Sequence, residues 1–160
     1  MPLPAPFLEA LASRARSAAV FADVRVEDGA LVCDARASAE PAFYSVREDG
    51  GRVWVLLQTP ARYLSQSIEA DLMFTGDKIA DLVHEEMMDL GYAAAHADAP
   101  ELPIEHFRSP ERLYTFRAGV PLTREELVGN TGRAVALAAC VLLGFQAAFA
   151  ELGDMTADGD

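Results

Sequence analysis

The densest chemical potential in this chain lies between residues 69 and 89, in Glu69, Asp71, Asp77, Asp81, His84, Glu85, Glu86 and Asp89. Asp77, Asp81 and Glu85 recur every fourth residue, so a helix through them carries three carboxylates on one face, with His84 beside them. Carboxylate oxygens suit hard divalent cations, and an imidazole adds a nitrogen donor. Asp77, Asp81, His84 and Glu85 are therefore the candidate metal ligands. They would serve a small-ligand- or divalent-metal-binding enzyme working from helix 77–90. The competing reading is an ordinary solvated helix face. His84-Glu85-Glu86-Met87-Met88 lacks the second histidine of a zinc-protease helix.

The other reactive types are scattered. His96 and His106 have no cysteine or carboxylate at ligand spacing, and a serine–histidine–acid grouping is not legible before the fold is known. Gly50-Gly51 suits a hairpin turn. Gly129-Asn130-Thr131-Gly132 lacks the lysine and the preceding glycine of a phosphate loop. No motif calls for a cofactor. Trp54, the only tryptophan, suits a strand core or, on an open sheet face, a partner anchor. Met73, Met87 and Met88 suit either an adaptable groove or gap-filling in a core.

The totals narrow the classes. A chain of 160 residues, 51% apolar, fits one globular domain with a real core. A net charge of −12 argues against nucleic acid and anionic lipid as partners, and suits a basic protein partner. Cys33 and Cys140 are isolated, and read as buried, reduced thiols of a cytoplasmic protein. Met1-Pro2-Leu3-Pro4 has no basic stretch or long apolar run, so no signal peptide is expected.

These side chains must be positioned by elements that the periodicity predicts. Pro6–Ala19 reads as a first helix with Phe7, Leu8, Leu11 and Ala15 on its apolar face. Four strands follow: 21–26, 31–35, 43–47 and 53–57. They are joined by the turn signals Asp28-Gly29 and Asp49-Gly50-Gly51. Thr59 as cap and Pro60 at the first position favour a helix over 60–74, although Leu64 to Phe74 also alternates as a strand would. Asp77 caps the next helix, which runs to Leu90 and ends at Gly91. Residues 93–103 are rich in Ala, Asp and Pro and read as a mobile loop. Residues 104–108 and 113–118 form a last hairpin. An acidic tail, 153–160, follows a single domain of 1–152.

The stretch Thr123–Leu152 is the organising helix. It opens with a capping-box pattern at Thr123-Arg124-Glu125-Glu126 and carries Leu127, Val128, Val135, Leu142, Phe145, Phe149 and Leu152 at mainly helical spacing. Gly132, Ala136, Cys140, Gly144 and Ala148 form a smooth ridge on which a sheet, a second helix or a partner could approach closely. Residues 134–150 sit at the short edge of a membrane span, are mostly alanine and contain Gln146, so a buried helix is expected and not a membrane anchor.

The element order predicts an α+β fold, an antiparallel meander covered by helices, in the order α-β-β-β-β-α-α-β-β-α. With Phe21–Asp34, Phe43–Gln58 and Leu113–Leu152, the chain resembles the YbjN-like family, which shares its fold with type III secretion chaperones. The closest segment is Leu113-Tyr114-Thr115-Phe116-Arg117-Ala118-Gly119-Val120-Pro121-Leu122-Thr123, running into the long helix. The resemblance covers most of the chain by pattern. The paired helices of 60–90 are longer than the family pattern. It implies a non-catalytic, often dimeric module, working through protein contacts, with no catalytic residue to carry over. The expected function is thus a protein-interaction or chaperone-like module. Trp54 and the ridge Gly132, Ala136, Cys140, Gly144 and Ala148 are its candidate contact residues, toward a protein partner or a second copy.

Overall fold

A computed structural model describes residues 2–156. Helix α1 (Ala5–Ala18) ends on Ala19 in a left-handed conformation and buries Phe7, Leu8, Leu11, Ala12 and Ala15. The meander follows as β1 (Phe21–Glu27), β2 (Ala30–Ala35), β3 (Phe43–Asp49) and β4 (Arg52–Thr59). Both tight turns are built as their residues demand. Asp28 and Gly29 take φ of 54° and 74°, and Gly50 and Gly51 take 61° and 79°. Two successive positive φ values match the twist of the flanking strands.

Helices α2 (Arg62–Thr75) and α3 (Ile79–Asp89) come next, so the ambiguous alternation of 64–74 resolves as helix. Their caps differ from the expected ones. Thr59 stays in β4, where its hydroxyl donates to the Pro41 carbonyl at 2.7 Å and accepts from the Ala61 N–H at 3.0 Å. The N-cap of α2 is therefore Ala61, and that of α3 is Lys78, not Asp77; neither makes a side-chain cap bond. Gly91 does end α3, with φ 91°.

The stretch expected as a mobile loop is anchored. Tyr92 to Ala95 form a one-turn helix, α4. Tyr92 is fully buried and donates to the Pro100 carbonyl at 2.7 Å, and Leu102 is buried. A single aromatic anchor outweighs the turn-forming composition around it.

Strands β5 (Glu105–Arg108) and β6 (Tyr114–Gly119) complete one six-stranded antiparallel sheet, in the order β1-β2-β3-β4-β6-β5. The α+β expectation therefore holds. One face, with Leu31, Cys33, Tyr44, Val46, Val53, Val55, Leu57, Phe116 and Ala118, joins the core built with the helices. The register puts Val32, Ser45, Trp54, Leu56, Gln58 and Thr115 on the opposite face, outside that core.

The organising helix is two helices, α5 (Arg124–Gly129) and α6 (Thr131–Phe149), broken at Asn130 with φ −144° and ψ 63°. Gly129 and Asn130 are poor helix formers, and their sum breaks the run. The capping box forms as expected: the Glu126 N–H donates to Thr123 Oγ1 at 3.2 Å and the Thr123 N–H to Glu126 Oε1 at 2.9 Å. Val128, expected on the apolar face, is 70% exposed. Helix α6 is long and apolar enough to cross a membrane, but it lies within the fold with 67% of its apolar window buried.

The first residues of the expected acidic tail are ordered against the fold. Gly153–Thr156 form a 3₁₀ turn docked on α2. The Gly153 N–H donates to Asp71 Oδ2 at 2.6 Å, and the Asp154 N–H to Ser67 Oγ at 2.9 Å. Gly153 has φ +49°, and a Cβ there would sit 2.6 Å from the Ser67 carbonyl carbon, so only glycine fits. Residues 157–160 of that tail lie outside the described residues.

Candidate functional site

Helix α2 organises the polar chemistry, and it does so with residues that the acidic pattern did not single out. Ser65 is buried on its inner side, one turn before Glu69. His106 projects toward them from β5, on the same side of the sheet as its cross-strand partner Phe116. The His106 ring stacks on Phe116 with centroids 3.8 Å apart and planes 10° apart, which fixes its plane. Ser65 Oγ lies 3.3 Å from His106 Nε2. Glu69 Oε1 lies 3.2 Å from Nδ1 of the same ring.

Serine on one imidazole nitrogen and a carboxylate on the other is the arrangement that orients a histidine as a base toward a hydroxyl. Burial holds the His106 pKa below its ordinary value, while Glu69 pulls it upward. The residues border a cleft of about 350 Å³, also lined by Arg62, Gln66, Arg108 and Tyr114. Sequence reasoning missed this grouping because Ser65 and His106 are 41 residues apart.

The acidic set does not converge. Asp77 is exposed in the α2–α3 turn, where its N–H donates to Thr75 Oγ1 at 3.3 Å. Asp81 and Glu85 are exposed on α3. His84 turns toward Tyr92, edge-on at 5.9 Å. Among the described residues no three His, Cys, Asp or Glu side chains are grouped to hold a metal. Every-fourth spacing aligns side chains along a helix but leaves them fanned toward solvent unless a second element closes over them. Instead Glu101 approaches Asp81, and the proton that two neighbouring carboxyls can share raises the Glu101 pKa.

Helix α3 also closes the ridge of α6 from within the chain. Cys140, Gly144 and Ala148 are buried. The Cys140 thiol donates to the Leu90 carbonyl at 3.5 Å, and a Cβ on Gly144 would come 2.6 Å from Met87 Cγ. The smooth ridge thus receives a helix at Cys140 and Gly144, as its small residues permit. Gly132 is exposed and Ala136 partly so.

Trp54 lies on the outer sheet face, opposite Arg47. It is only 8% exposed because arginines cover it, with the Arg117 guanidinium 3.8 Å and that of Arg52 4.8 Å from the ring centroid. Its Nε1–H donates to the Asp49 carbonyl at 3.0 Å. Arg117 is itself held by Glu105 at 2.8 Å. The tryptophan is a seat for intramolecular cation–π contacts, and Ser45 Oγ beneath the same face is buried with no hydrogen-bond partner among the described residues.

The far end of α2 differs in kind. Met73 is 84% and Phe74 91% exposed, at the turn into α3. Around them, residues 69–90 hold seven carboxylates against the single Lys78.

No family model, curated protein or solved structure matches this chain.

Proposed function

We propose that the protein is an interaction module of the YbjN-like, chaperone-like kind, which grips a basic partner through the α2–α3 hairpin. The carrying observation is the exposure of Met73 and Phe74, side by side at the hairpin tip. Each would gain about 1.5–3 kcal/mol on full burial, so leaving both in water favours a partner that covers them. The surrounding carboxylates set that partner's chemistry, an apolar anchor flanked by Lys or Arg. The same charge opposes a symmetric dimer through the tip, because two copies would bring like charges together. The helical order and the antiparallel sheet support the family reading, and the hairpin is where the chain exceeds the family pattern. We place the protein in the cytoplasm. The free, buried thiols of Cys33 and Cys140 support that location, with burial pushing the Cys33 pKa up to about 12.

The test compares wild type with a Met73→Ser, Phe74→Ser double variant, using pull-downs and light scattering. The expected outcome is a complex that weakens as salt rises and is lost in the variant, while the melting temperature is unchanged. Equal capture by both proteins would refute the hairpin as the binding surface. A wild-type protein that is monomeric and captures nothing would refute the interaction reading itself.

A further inference from the structure

We propose that Ser65, His106 and Glu69 form a hydrolytic centre for small carboxylic esters that carry a negative charge. The inference is independent of the hairpin reading and concerns the opposite end of α2. Three features of the geometry carry it.

The first is the Ser65 hydroxyl itself. Serine and threonine inside a helix ordinarily donate back to the preceding turn. In α2, Ser67 Oγ donates to the Leu64 carbonyl at 2.8 Å and Thr75 Oγ1 to the Asp71 carbonyl at 3.1 Å. Ser65 is the exception. Its backbone N–H takes the Ala61 carbonyl at 3.3 Å, and its hydroxyl is left for His106. The second is the imidazole, held by Phe116 stacking and by Glu69 on the nitrogen away from the serine. The negative charge of Glu69, 3.2 Å from Nδ1, favours the tautomer with the proton on Nδ1 and the lone pair on Nε2, toward Ser65. Burial favours the neutral ring that a base requires.

The third is the cleft. Its lining includes Arg62 and Arg108, for which no ion pair exists among the described residues. In a chain of net charge −12, two such cations at one small cleft select an anionic substrate.

The reaction is balanced with these groups and water. Ser65 Oγ attacks the ester carbonyl while its proton passes to His106 Nε2. The C–OR bond breaks, and the same proton leaves with the alcohol. Water then attacks the acyl-serine, losing its proton to Nε2, and the carboxylic acid departs as Ser65 is restored. Ser65 and His106 touch the reacting atoms and are the catalytic residues. Glu69 acts through the ring and is a positioning residue.

The experiment uses the full chain with p-nitrophenyl hydrogen succinate as the anionic ester and p-nitrophenyl acetate as the neutral one. A fluorophosphonate probe with peptide mass spectrometry reports the nucleophile. The expected results are labelling at Ser65, faster turnover of the succinate, and loss of about 10²-fold or more in kcat for Ser65→Ala and His106→Asn. Arg62→Ala and Arg108→Ala should raise KM for the succinate and leave the acetate unchanged. Glu69→Gln should lower kcat and displace its pH profile, which a purely structural role would not do. Ser65→Cys keeps the test valid if Ser65→Ala fails to fold: iodoacetamide should alkylate the new thiol before Cys33 or Cys140, and this preference should vanish with His106→Asn. No probe at Ser65, or equal ester hydrolysis by wild type and folded Ser65→Ala, overturns the proposal. Met73→Ser, Phe74→Ser should hydrolyse both esters as wild type does, which separates this centre from the partner surface.

Discussion

Helices α6 and α2 lie in one fold and show two uses of a helix. Twelve of the 19 residues of α6 are buried, against three of the 14 in α2. α6 is gripped by α1, α3 and the sheet, and its polar residues are nearly absent. α2 meets the core through Leu64 and Ile68, and its remaining surface is free to carry a serine–histidine contact at one end and an exposed apolar pair at the other. The contrast teaches that stability and chemistry are divided between elements here. The helix that supplies the core has no side chain left for a site, and the helix that supplies the site contributes modestly to the core.

The largest expected effect would break that contrast if it failed. Phe145 in α6 is fully buried, and Phe145→Ala should cost about 3–5 kcal/mol in urea unfolding. Phe74→Ala on α2 should stay within about 0.5 kcal/mol of wild type, because its ring is in water. Equal losses would mean that α2 is as deeply committed to the core as α6.

Gly144→Leu sharpens the comparison at the contact with α3. The added side chain meets Met87 Cγ and the Val83 carbonyl, so a loss of about 1–3 kcal/mol is expected. Among the described residues nothing lies within contact of a new Cβ on Gly132, and Gly132→Ala should gain up to about 1 kcal/mol. Denaturation repeated at several protein concentrations should show the Gly144→Leu loss unchanged, since the contact is intramolecular. A concentration-dependent loss would move the ridge to a subunit interface.

A smaller effect is expected at the capping box. Thr123→Ala removes the acceptor for the Glu126 N–H and should cost about 0.5–2 kcal/mol by thermal or urea melts. Hydrogen bonding to Thr123 lowers the Glu126 pKa. Its stabilisation is therefore full above the ordinary value of 4.5 and is lost as pH falls through the lower folded value.

The smallest effect is the pH dependence of the α2–β5 contact. The folded His106 pKa is lowered from 6.5, so its contribution is complete above that value and fades as acid protonates the ring in the fold. Melting temperatures of wild type and His106→Asn, measured from neutral pH downward, should converge as pH falls. Divergence toward low pH would show that the charged ring is the favoured form, bound by Glu69.

Much of the fold was legible because its signals are local. Asp28-Gly29 and Gly50-Gly51 dictate positive φ, alternation marks the four meander strands, and Thr123 with Glu126 announces a helix start. The failures were local rules overruled at a distance. Thr59 looked like a cap, yet the Pro41 carbonyl holds its hydroxyl in the sheet. Residues 93–103 looked loose, yet burial of Tyr92 anchors them. The site was hardly legible. Asp77, Asp81, His84 and Glu85 have suggestive spacing and no convergence, while Ser65, Glu69 and His106 converge without any spacing that announces it.

By itself, the sequence determined the antiparallel α+β architecture, the turns and the apolar character of α6, since hydrophobic period and backbone restriction act within a few residues. The tertiary structure alone decided three things: that Trp54 faces away from the helices, that α3 covers the α6 ridge, and that His106 meets Ser65 and Glu69. The reason is physical. A strand register places side chains to within one residue, and a shift of one would turn His106 from the helical face to the open one. That register is set by the packing of β6 against β4 and of Phe116 against Phe149, contacts that join distant parts of the chain.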